Sequence, residues 1–115
     1  MAPLRDGEPL LLKLEGTAEA TRLRIRGDLD ARSAGRLERM LEQLGDLRDH
    51  TLVLDFGRVH HVDSTGLTAV VGAKLRGDRE GFRVFVDRVP PRLQRMLRIT
   101  GLDRLLQAAP ERLRK

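Results

Sequence analysis

A chain of 115 residues can bury one modest core but not two, so residues 1–115 read as a single domain with its core between about residues 10 and 107. With 40% apolar and 34% charged residues it is globular rather than disordered, and the absence of cysteine excludes a disulfide framework, a thiolate nucleophile and a cysteine-based metal site. The net charge of +5 is spread along the chain and interleaved with 17 acids, without a basic run and without Tyr or Trp to stack on bases, which argues against direct nucleic-acid binding.

The opening sequence MAPLRD has no apolar signal core, and the longest uncharged stretch, residues 64–73, falls well short of the roughly 20 residues of a membrane-spanning helix. A cytoplasmic protein without a membrane partner is the expectation. Residues 10–14 form a short apolar run, and after Gly16 and Thr17 the segment TRLRIR (residues 21–26) alternates with the period of a strand that buries one face. The two predict an opening hairpin, with Arg22, Arg24 and Arg26 on a solvated outer face that blunts a sheet edge.

Gly27-Asp28-Leu29-Asp30 reads as a turn. Ser33 follows, then Leu37, Met40, Leu41 and Leu44 at the spacing of an amphipathic helix that Gly45 ends. Leu52-Val53-Leu54 with Phe56 is nearly continuous and β-rich, as a strand in the middle of a sheet would be. Leu67, Val70, Val71 and Leu75 predict a second helix closed by Gly77 or Gly81. A strand over residues 82–86 comes next, then a helix opened by Pro90-Pro91, carrying Leu93, Met96 and Leu97 and stopped by Gly101. Residues 102–106 fit either a strand or a helix. The order β, β, α, β, α, β, α predicts an α/β fold: a mixed four- to five-stranded sheet with amphipathic helices and parallel, right-handed crossovers.

The stretch VHHVDSTGLTAVVG (residues 59–72) is then the loop after a central strand and before a helix, at the carboxyl edge where α/β domains place function. Ser64 or Thr65 is a plain N-cap for that helix, and Gly66 permits close backbone approach. The same hydroxyls are also open to a second use. A phosphate added there would meet the helix N-terminus, with Asp63 beside it opposing a dianion.

Asp63-Ser64-Thr65-Gly66-Leu67 after the strand Leu52-Val53-Leu54-Asp55-Phe56 resembles the signature of the STAS family, the bacterial anti-sigma factor antagonists. Gly27-Asp28-Leu29-Asp30 is similar to the family's turn before its first helix, Arg79-Glu80-Gly81-Phe82 to the approach to its fourth strand, and LQRMLRITGL (residues 93–102) to its late helix. The resemblance runs from about residue 10 to residue 106. It implies that Ser64 is the serine phosphorylated by a partner kinase, which is itself the anti-sigma factor, with Thr65 as the secondary candidate. The unphosphorylated antagonist binds that kinase and frees the sigma factor for transcription, and a phosphatase resets the switch. Asp28, Asp30, Ser33, Asp63, Ser64, Thr65, Gly66 and Leu67 are the implied docking residues.

No catalytic residue, cofactor or metal is expected. His50, His60 and His61 are too few for a metal site, and neighbours on a strand point to opposite faces. Ser64 lacks the G-x-S-x-G elbow of a hydrolase, and no phosphate-binding Gly motif is present. The alternative from the same resemblance is a STAS module that is not a kinase substrate, serving as a scaffold or ligand-sensing subunit of a larger complex such as a lipid-transport assembly.

Overall fold

The computed structural model describes residues 9–115; the opening sequence read above for a signal core lies outside the described residues. β1 (Leu11–Gly16) and β2 (Thr21–Leu29) form an antiparallel hairpin in which Leu12 faces Ile25 and Glu15 faces Arg22. Thr17 closes the turn: its N–H donates to Ala20 O at 2.8 Å, and its hydroxyl oxygen accepts the N–H groups of Glu19 and Ala20. α1 (Ala34–Gln43), β3 (Thr51–Val62), α2 (Ser64–Glu80), β4 (Arg83–Asp87) and α3 (Pro91–Thr100) follow. The sheet order is β1-β2-β3-β4, with β2–β3 and β3–β4 parallel, so the expected mixed sheet forms with four strands and its apolar strand inside.

Leu37 and Leu41 of α1, Leu67, Val70 and Ala73 of α2, and Leu93 and Leu97 of α3 pack in one core. They meet Leu23, Ile25 and Leu29 of β2, Leu52, Leu54 and Phe56 of β3, and Val84 and Val86 of β4. Strand side chains alternate between faces, so Arg22, Arg24, Val53, Asp55, Phe85 and Asp87 point the other way, onto a face without helices. α2 runs past Gly77 and stops at Gly81, whose left-handed φ of 83° suits only glycine comfortably and returns its N–H to the Gly77 carbonyl. Pro91 occupies the first turn of α3 and Gly101 its end, as the sequence predicts.

Several expectations are corrected. Residues 27–29 continue β2 rather than turning, and β3 extends to Val62, so residues 59–62 of the motif are strand. Leu75 is 44% exposed, because the buried stripe of α2 is centred on Leu67, Val70 and Ala73. Residues 102–104 form a 3-10 turn (Leu102–Arg104).

The arginines of β2 do not blunt an edge. The strand lies between β1 and β3, and Arg22 is only 7% exposed. Its Nη1 lies 2.8 Å from both Asp55 Oδ2 and Asp87 Oδ2. The C-terminal segment pairs with the edge of β4, where Ala108 bridges to Val86, and then covers this part of the helix-free face: Leu113 O accepts from Arg22 Nη2, and Lys115 N–H donates to Asp87 Oδ2 at 2.9 Å.

Candidate functional site

β2 and β3 end side by side, with Leu29 opposite Val62, so the turn into α1 and the start of α2 adjoin at the carboxyl edge of the sheet. Asp63 ties them together. Its Oδ1 accepts the Gly66 N–H at 2.9 Å, its Oδ2 accepts the Ala31 N–H at 3.2 Å, and its own N–H donates to Leu29 O at 3.2 Å. Asp63 is therefore the N-cap of α2, which corrects the assignment of that task to Ser64 or Thr65. The helix begins one residue earlier than the hydroxyl reading assumed, and a carboxylate serves as well in the capping position. Gly66 makes the close approach expected of it: a Cβ there would lie 2.1 Å from Leu29 O.

The turn before α1 is built by Ser33 and Asp30. Ser33 Oγ donates to Asp28 O at 2.7 Å and accepts the Asp30 N–H at 3.0 Å. Asp30 accepts the Arg32 N–H at 2.9 Å and the Arg32 guanidinium at 3.0 Å. The guanidinium hydrogen bond holds the Asp30 carboxyl below the usual carboxylate range, so it is ionised at neutral pH.

All eight residues expected from the sequence to dock a partner gather at this end of the sheet. Ser64 and Thr65 are exposed and Asp30 and Asp63 half-buried, while Asp28, Ser33, Gly66 and Leu67 are buried and shape the surface from beneath. Beyond Ser64, whose carbonyl accepts from the Thr68 hydroxyl at 2.9 Å, α2 presents Thr68, Gly72 and Leu75, with Val71 half-buried beside them. This charge-free stripe on a highly charged surface continues the expected docking residues along α2, and most of it falls in the uncharged stretch 64–73 of the sequence.

His60 and His61 are both exposed, although strand neighbours point to opposite faces, because pairing with β4 stops at Asp55. They line a groove with Pro90, Arg92 and Met96. Among the described residues no group of three or more His, Asp or Glu is placed to hold a metal, and no helix is long and apolar enough to cross a membrane.

Known proteins share this fold. The family model for "Mlab, STAS domain" matches residues 12–107. The crystal structure of an anti-sigma factor antagonist from Mycobacterium paratuberculosis superposes with a TM-score of 0.74 at 23% identity, over 90% of this chain and 88% of that one. The Bacillus cell fate determinant SpoIIAA in its phosphorylated form gives 0.66 at 21% identity, over 89% and 94%. A sulfate transporter family protein from Wolinella succinogenes gives 0.65 at 23% identity, over 75% and 70%. No curated protein matches the sequence. At these identities the structural likeness speaks for the fold, while the family match spans most of the chain: the protein belongs to the STAS domain family.

Proposed function

We propose that this chain is an anti-sigma factor antagonist switched at Ser64. The observation that carries the reading is an exposed serine at the first position of α2, relieved of capping duty by Asp63, in a chain with the fold of the Mycobacterium and Bacillus proteins above. A kinase needs only a reachable hydroxyl in line with its γ-phosphate and supplies Mg·ATP itself. The chain then acts as substrate and binder, not as an enzyme, and needs no cofactor.

The unphosphorylated protein docks on an anti-sigma factor with serine kinase activity through Ser64, Thr65 and the charge-free stripe of α2, and sigma-dependent transcription follows. A phosphoryl group on Ser64 adds roughly −1.5 to −2 charges. A helix N-terminus ordinarily receives such a group, but here the Asp63 carboxylate already holds the Gly66 N–H and stands beside it. With Asp30 and Asp63 adjacent, the modified surface repels the partner, and a phosphatase restores it. If the isosteric Asp63→Asn protein, phosphorylated, still released the kinase as the parent does, this charge effect would be refuted.

The test of the switch is phosphopeptide mass spectrometry on the protein from its native cells, growing and stressed, beside a Ser64→Ala strain. Phosphate on Ser64 that varies with condition, with a kinase recovered in pull-down, supports it. A Ser64 unmodified in every condition favours the second reading, a non-phosphorylated subunit of a larger assembly. The match to the family model named for Mlab and the likeness to the transporter family protein support that alternative.

A further inference from the structure

On the helix-free face, away from Ser64, a cavity of about 140 Å³ is lined by Lys13, Arg24, Arg26, Asp55, Arg58 and Arg88 among others. An irregularity between β2 and β3 after Arg24 sets Arg26 directly opposite Arg58. Like charges facing each other across a sheet are destabilising, and bulges recur where a side chain is re-aimed at a functional site. Neither Arg26 nor Arg58 forms an ion pair among the described residues.

The acids nearby cannot neutralise them. Asp55 is saturated: its Oδ1 takes the Gly57 N–H at 2.9 Å and Arg88 Nε at 3.0 Å, and its Oδ2 takes Arg22 Nη1 at 2.8 Å and Arg88 Nη2 at 3.1 Å. A carboxylate offers about four acceptor sites, so none is left. Glu15 lies 3.4 Å from Arg24 Nε and 3.9 Å from Lys13 Nζ. Even so, Arg24 Nε is buried without a hydrogen-bond acceptor, and a buried donor left unmade is costly.

We infer that this cavity is an anion site for a phosphate-class group, held by Arg24, Arg26 and Arg58 with Lys13 at its rim. Guanidinium forks match the oxygens of a phosphate in pairs, and the anion turns the facing Arg26 and Arg58 from a repulsive pair into a clamp. The cavity holds the phosphoryl group and leaves the rest of the ligand outside, so a soluble phosphate ester and a phosphomonoester lipid headgroup present the same chemistry. The site shares no residue with the Ser64 surface.

The test is a titration of the full chain with inorganic pyrophosphate at fixed ionic strength, followed by amide NMR shifts and by melting temperature. Saturable shifts at Lys13, Arg24, Arg26 and Arg58 are expected, with a rise in melting temperature. Because hydrogen bonds to charged groups contribute about 1.5–3 kcal/mol, Arg58→Gln and Arg26→Gln should each weaken binding by roughly tenfold or more. Arg58 is exposed, so its variant folds, and without ligand it should melt no lower than the parent. Shifts that grow linearly, saturate equally in both variants or map to residues 112–115 overturn the proposal. Co-sedimentation with phosphatidate vesicles, competed by pyrophosphate, identifies the headgroup as a source and supports the site. Equal, uncompeted capture by phosphatidylserine vesicles refutes it in favour of unspecific surface charge.

Discussion

Asp63 holds two chain reversals with one carboxylate, and that division of labour is what frees Ser64. Asp63→Ala is expected to lower unfolding free energy by about 1 kcal/mol, the usual cost of a lost N-cap, whereas Ser64→Ala should stay within about 0.5 kcal/mol of the parent; urea denaturation measures both. Equal losses would return the cap to the hydroxyl. Gly66→Ala drives a methyl group into the Leu29 carbonyl, and a destabilisation of about 3 kcal/mol, at the upper end of overpacking costs, should show as a lowered urea midpoint. The location of this site was legible in the sequence, because a carboxylate, two hydroxyls and a glycine interrupt an apolar run. Which of them caps was not: that turns on whether the helix starts at residue 64 or one later, a margin at which helix boundaries are poorly defined.

Among the elements, β2 displays both what a hydrophobic pattern reveals and where it stops. The alternation of residues 21–26 gave the strand and its buried face, but periodicity does not say what lies across the polar face. The partners of Arg22 are Asp55 and Asp87, one set in the apolar run of β3 and one at the end of β4, a juxtaposition only the parallel pairing creates. Burial works to raise the Asp55 pKa, but hydrogen bonds from Arg88, the Gly57 N–H and Arg22 outweigh it and hold the carboxyl below its ordinary range. A lowered folded-state value means that the ionised group favours the folded state. Its contribution is complete above the unfolded-chain value of ~3.9, shrinks as pH drops below that value, and is gone once pH has fallen through the folded value. Unfolding measured across acidic pH should therefore show a loss in this window that Asp55→Asn reduces. At neutral pH the same variant should be less stable by about 3 kcal/mol, since it breaks a buried ion network, leaving Arg22 with Asp87 alone and Arg88 without its carboxylate.

The molecule as a whole has one apolar and one ionic face to its sheet. The apolar side was predictable from helix and strand periodicity together; the cover on the ionic side was not, because residues 105–115 carry too little pattern to announce where they lie. That cover keeps Val53 at 1% exposure. Removing residues 111–115 should expose it and deprive Arg22 of the Leu113 carbonyl, lowering stability by about 2 kcal/mol, the scale of one buried valine, while far-UV circular dichroism keeps its helical signature. β3 outruns its neighbour: its pairing with β4 ends at Asp55, while pairing with β2 continues to Val62. Residues 56–62 are therefore a ribbon hydrogen-bonded to a strand along one edge only. In deuterated water, amides there that point towards β2 should exchange slowly and their alternate neighbours quickly, whereas residues 51–55 stay protected on both sides. The end of the molecule that carries Ser64 thus includes a strand edge without a strand partner among the described residues, whose backbone donors and acceptors are open to another surface.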